Sequence, residues 1–220
     1  MTTAAADARR AVLLSGSMSA LAGYVDALGF MSLSGYFVSF MSGNSTQLAI
    51  SVAYMDGHAV EVALSIIVLF VAGVVIGSLL GQFAASRKSA KLLLAVALLL
   101  ATSAVLQGVG QTQIAIAAMI LAMGMENTTF DKAGNGVTSL TYVTGTLVKL
   151  GQATAARLMG GAPAGGLRLF SLWLGLVGGA VLGGLTYQWM GLHGLWIASG
   201  LAALLSLAAA VIRPGETKEA

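Results

Sequence analysis

"FMSGNSTQLAI", residues 40–50, interrupts a lipid-soluble stretch with five consecutive small or polar residues, Ser42 to Thr46. A polar insert at that depth is affordable only where protein or a water-filled cavity encloses it. What it does depends on how the segment containing it crosses the membrane, and the rest of the sequence decides that.

Of the 220 residues, 57% are hydrophobic and 9% charged, and the apolar residues fall in long blocks. Blocks of roughly 20 apolar residues match a hydrocarbon layer of about 30 Å, whereas a β-barrel shows alternating strands of about 10. The chain therefore reads as an all-α polytopic membrane protein with the lipid bilayer as its first partner. A net charge of +3 resides in short loops and speaks to membrane orientation; no pattern points to nucleic acid. The absence of cysteine removes disulfides, thiolate metal sites and a thiol nucleophile. "RRAVLLSGSMSALAG" imitates a signal peptide, but its helix has a counterpart later in the chain and so belongs to the folded body.

That counterpart belongs to a duplication. "GYVDALGF" (Gly23 to Phe30) corresponds to "GMENTTF" (Gly124 to Phe130), which aligns Asp26 with Asn127 and puts Glu126 beside it. "FMSGNSTQL" corresponds to "YVTGTLVKL" (Tyr142 to Leu150), and "AGVVIGSLLGQF" (Ala72 to Phe83) to "GGAVLGGLTYQW" (Gly178 to Trp189). One membrane domain, 1–220, thus holds repeat 1 at 11–108 and repeat 2 at 112–212. Gly73, Gly77 and Gly81, and likewise Gly175, Gly179 and Gly183, recur every fourth residue and give flat ridges for close helix packing.

Eight apolar segments result: 11–30, 36–55, 61–84, 90–108, 112–129, 137–156, 168–190 and 193–212. If all eight cross, in two parallel repeats, Arg87, Lys88, Lys91 and Lys132 fall outside, against the positive-inside rule. If 36–55 and 137–156 instead dip in and return, every loop and tail cation becomes cytoplasmic, and Lys149 alone lies within a membrane segment. The preferred fold is therefore two inverted repeats, each three spans plus one re-entrant segment, an extended strand followed by a half-helix. Both termini are then cytoplasmic and the location is a bacterial inner membrane. "GYFVSFMSG" and "GVTSLTYVTG" supply the extended lead-ins, with Ser, Asn or Thr as helix N-caps.

Two half-helix N-termini at the midplane form the substrate site of many secondary transporters. The candidate binding residues are Ser42, Gly43, Asn44 and Ser45 in repeat 1 and Thr144, Gly145, Thr146 and Lys149 in repeat 2. Lys149 stands where repeat 1 has Gln47; it favours an anionic solute, or it neutralises Glu126. Asp26, Glu126 and Asn127 are the candidate proton-binding or gating groups. Asp26, about 22 Å along the first span, is expected in an outer vestibule and Glu126 with Asn127 in an inner one. Ser15, Ser19, Gly23 and Asp26 follow helical spacing as one polar stripe. Trp173, Trp189 and Trp196 fall near span ends as interfacial anchors, and neither loop histidine, His58 or His193, is expected to bind a metal or haem.

"GYVDALGF", "GYFVSFMSGNST" and "TYVTGTLVKLG" resemble the YoaK-like family of small bacterial inner-membrane proteins, over about residues 11 to 212. The resemblance implies a permease-like membrane protein and supplies no functional residues. The sequence expectation is a small secondary transporter for a small polar or anionic solute, proton-coupled, without cofactor or enzymatic activity. Its rivals are a passive channel and a non-transporting scaffold or assembly protein. A homo-oligomer is left open.

Overall fold

The computed structural model describes residues 3–84, 87–129, 143–161 and 165–211. Lys132, the segment 137–142, Arg213 and Lys218 lie outside the described residues. The described chain is helical throughout: α1 (Thr3–Ser32), α2 (Met41–Ala53), α3 (Gly57–Phe83), α4 (Lys88–Gly108), α5 (Thr112–Glu126), α6 (Val143–Leu158), α7 (Gly166–Met190) and α8 (Leu195–Val211). A 3-10 turn, Gly191–Gly194, joins the last two.

Four stretches are long and apolar enough to cross a membrane: Val12–Ser32, Gly57–Phe83, Lys88–Gly108 and Gly166–Val211. The last is divided by Gly191, whose φ of 57° ends α7. By contrast α2 has 13 residues, α6 16 and α5 15, all short of the roughly 20 that a span takes.

The expected extended strand before α2 is corrected. Among the described residues there is no strand; residues 33–40 form turns and bends, broken at Ser34 (φ 53°) and Gly35 (φ 108°). Nor do Ser, Asn or Thr cap α2. The helix starts at Met41 after Phe40, which gives no side-chain cap, so Ser42 to Thr46 occupy its first two turns. At α3 the rule holds, since Asp56 accepts the Ala59 N–H at 3.0 Å.

The core is built from α1, α4, α5 and α8: Met18, Leu21, Val25 and Leu28 meet Leu93, Val96, Leu100, Met119, Met123 and Leu195. Outside it, α3 and α7 keep their apolar faces exposed, with Val71, Val75 and Leu79 on one and Leu174, Val181 and Leu185 on the other. Such faces suit lipid.

Glycine sets how these outer helices join. A Cβ on Gly23 would run into the Leu176 carbonyl oxygen and reach the Ala180 nitrogen; one on Gly124 would meet the equivalent pair, the Phe70 oxygen and the Val74 nitrogen. Gly179 lies on the Ala20 oxygen and Gly73 on the Leu121 oxygen; Gly183 lies on Tyr24 and Gly77 on Met125. Contact for contact, the α1/α7 interface has its counterpart in α5/α3. In both pairs residue numbers rise together, so the two helices run parallel. Ser199 and Ser206 donate to the Ala97 and Ala90 carbonyls, so α4 and α8 are antiparallel.

These contacts also correct the polar stripe on α1. Ser19 donates to the Leu172 carbonyl at 2.8 Å and Gly23 is pressed on α7, so this part of the face is a helix–helix seam.

Candidate functional site

The site is built around the eight residues between α1 and α2. Deprived of helical partners, their backbone groups must bond elsewhere. Asp26 Oδ1 accepts two of them, the Val38 N–H at 2.8 Å and the Ser39 N–H at 2.9 Å. Asn44, fully buried one turn into α2, takes both polar groups of Phe37: its Oδ1 accepts the N–H at 3.0 Å and its Nδ2 donates to the carbonyl at 2.6 Å. Gln47 reaches the Gly35 carbonyl at 3.5 Å. The polar insert in "FMSGNSTQLAI" thus serves first to tie down its own lead-in.

Ring packing completes the clamp. Phe37 lies 4.7 Å from Phe30 and 5.2 Å from Phe40 between centroids. Gly43 is required beneath them, because a Cβ there would come 2.7 Å from the Phe40 ring. Tyr36 reaches the Ala59 carbonyl at 3.5 Å, which brings the start of the lead-in beside the first turn of α3. The remaining insert hydroxyls face outward: Ser45 and Thr46 are exposed and bond back to the Met41 and Ser42 carbonyls, and Ser42 is exposed as well.

On α6, Gly145 and Thr146 are buried, while Thr144 and Lys149 are exposed. Thr146 occupies the position that matches Asn44. Among the described residues α2 and α6 do not touch each other; each packs on the following long helix, α3 or α7.

Glu126, the last residue of α5, is fully buried, and neither of its oxygens has a hydrogen-bond partner among the described residues. Lys149 does not neutralise it. Asp26 stands on α1, which touches α5, and its carboxyl acts on Glu126 electrostatically. Asn127 turns back on its own helix, its Nδ2 donating to the Met123 carbonyl at 2.9 Å. Beside Asp26 opens a cleft of about 350 Å³ lined by Gly23, Phe30, Phe37, Leu176 and Ala180.

Ser39 is the residue that sequence reasoning missed. Its N–H holds Asp26, and its buried hydroxyl lies beside the same carboxyl. A lone serine between aromatic residues carries no signal of that role. Among the described residues no group of three or more His, Cys, Asp or Glu side chains could hold a metal ion, and His58 and His193 are exposed.

Comparison with known proteins follows this geometry. Residues 14–208 match a family described as "Protein of unknown function (DUF1275)". Over 200 residues, 88% of this chain and 83% of the relative, the sequence is 38% identical to the UPF0700 transmembrane protein RA0705 of Rhizobium meliloti (strain 1021). No solved structure matches the chain.

Proposed function

We propose that this chain, which belongs to the DUF1275 family and is an integral membrane protein, is a small secondary transporter of the bacterial inner membrane that carries a small polar or anionic solute. The observation that carries this reading is a fully buried carboxyl, Glu126, whose oxygens have no hydrogen-bond partner among the described residues, in a chain where a second carboxyl, Asp26, clamps the lead-in of the short helix α2. A buried ionisable group of this kind costs several kcal/mol in a membrane protein and marks ion or substrate pathways.

Chain direction supports inverted repeats. The Tyr36–Ala59 contact puts the end of α1 and the start of α3 at one level, so the two helices run in opposite directions. Since α3 and α5 are parallel, α5 opposes α1, and the second repeat begins the other way up. The same contact supports re-entry, because the chain enters and leaves α2 at one level. Such halves rock against each other in alternating access. In this reading both termini are cytoplasmic, Asp26 and Glu126 answer to a cation gradient, and the protein is not an enzyme. The solute meets Thr144, Thr146 and Lys149 on α6 and the outward hydroxyls of Ser42 and Ser45 on α2, while Asn44 holds the scaffold.

The test is uptake by proteoliposomes containing the full chain, across a panel of small inorganic and carboxylate anions. At least one should show saturable uptake that a cation gradient drives uphill and that Glu126→Gln lowers at least about tenfold, about 1.4 kcal/mol or more. Flux at the level of empty liposomes for every solute would overturn the reading. Passive, non-saturating flux would establish a channel instead.

A further inference from the structure

Small residues leave the cleft beside Asp26 open. Gly23 brings α1 onto the α7 backbone, and one turn farther along Ala27 and Ala180 have too little side chain to fill the space that Phe30 and Met31 on α1, Phe37 on the lead-in and Leu176 on α7 enclose. Its volume of about 350 Å³ lies within the range of small-molecule pockets, roughly 300–1,000 Å³. Every lining side chain is apolar except Asp26, which stays partly accessible. A carboxylate only accepts hydrogen bonds, and what surrounds Asp26 can donate them: the Val38 and Ser39 N–H groups on Oδ1, and the Ser39 hydroxyl beside the same carboxyl. These donors hold the group without adding a positive charge, so its negative charge acts on whatever enters the cleft.

The walls decide what that can be. A hard metal ion takes about six or more oxygen ligands, and among the described residues no lining side chain besides Asp26 carries an oxygen. An uncharged apolar molecule suits the walls but gives the carboxylate no counter-charge. A phospholipid head group brings a phosphate, and among the described residues no Lys, Arg or His lines the cleft to receive it. A cation whose charge is wrapped in alkyl groups meets both demands. Phe30 and Phe37, 4.7 Å apart between centroids, supply the paired rings on which quaternary ammonium ions are held.

We propose that this cleft binds a free alkylated ammonium ion, with Asp26 as its counter-charge and Phe30 and Phe37 as its aromatic walls. The site stands whether or not the chain transports, and it is separate from the α6 residues assigned to the solute above. Asp26 and Phe37 also belong to the clamp on the α2 lead-in, so an occupant fastens the lead-in to α1 and α7.

The experiment is thermal unfolding of the purified full chain in uncharged detergent, followed by tryptophan fluorescence in tetraethylammonium chloride against sodium chloride of equal ionic strength. Ligand binding to the folded state alone raises stability with ligand concentration. The wild type should melt higher in tetraethylammonium, saturably, and exchange at the Phe37, Val38 and Ser39 amides should slow. Triethylmethanol, a neutral molecule of similar shape, should have no such effect. Asp26→Asn keeps an acceptor for both N–H groups and removes the charge, so the half-saturating concentration should rise about tenfold or more. Phe30→Leu should raise it about threefold through loss of one ring. Ala180→Leu, which fills the cleft from α7 and decides the matter if Asp26→Asn does not fold, should abolish the saturable response. Identical melting in the two salts, equal stabilisation by triethylmethanol, or an undiminished response in Asp26→Asn or Ala180→Leu would overturn the site. Displacement of the probe by phosphatidylethanolamine added to the micelles would overturn the free ion in favour of a lipid head group.

Discussion

Replacing Asn44 with alanine removes two hydrogen bonds, 3.0 and 2.6 Å long, and leaves the N–H and C=O of Phe37 without partners. An orphaned buried donor or acceptor costs about 1–3 kcal/mol. Phe37 is half-buried, so water reaches part of the gap and the lower half of that range applies, giving roughly 2–4 kcal/mol for the pair. Asn44→Asp should be no milder, since it keeps the acceptor for the Phe37 N–H but sets an oxygen against the Phe37 carbonyl. The assay is unfolding in mixed micelles, paired with hydrogen exchange at the amides of Phe37, Val38 and Ser39. Exchange there should accelerate in the variant by more than the loss of global stability explains, because the lead-in opens first. A change below about 0.5 kcal/mol with amide protection intact would refute the clamp. Weaker solute uptake with unchanged stability would return Asn44 to the binding site.

The two glycine seams should respond alike. Gly179→Ala and Gly73→Ala each drive a methyl onto a backbone carbonyl that cannot move aside, so each should cost about 1–3 kcal/mol in micelle unfolding, and a twofold difference in cost would argue against equivalent interfaces. Glu126→Gln replaces a buried carboxyl without hydrogen-bond partners among the described residues by an amide of the same shape; at pH high enough to ionise the carboxyl it should raise stability by about 1 kcal/mol or more, and a comparable loss would mean that Glu126 has a stabilising partner. Lys149→Gln alters an exposed side chain, so stability should stay within about 0.5 kcal/mol while preference shifts from anionic to neutral solutes.

What the sequence disclosed and what it hid follow from the range of the interactions. Gly73, Gly77, Gly179 and Gly183 were legible as packing ridges because their reason is local, a four-residue period, and the structure places each against a neighbouring helix. The helical, membrane-bound character followed from apolar blocks alone. The start of α2 was misplaced because its lead-in is not held by a side-chain cap at the helix end; Asp26 holds it from 12 and 13 residues upstream, through backbone groups with no side-chain signature. Asn44 stood out as polar in an apolar segment, but that its amide closes on a single peptide group could be learned only from the turn at residues 33–40. The approach of α1 to α5, which lets Asp26 act electrostatically on Glu126, is tertiary and leaves no trace in distances counted along each helix.

The most direct test of the account is the sidedness of the two ends of the α2 segment. Without cysteine, the chain allows single replacements Ser34→Cys, His58→Cys and Arg87→Cys, all at exposed positions, to be labelled in intact cells by a membrane-impermeant thiol reagent. If α2 re-enters, positions 34 and 58 both label from outside and position 87 does not. If 34 and 58 label from opposite sides, α2 crosses the membrane, and the inverted repeats and the site built on them are contradicted.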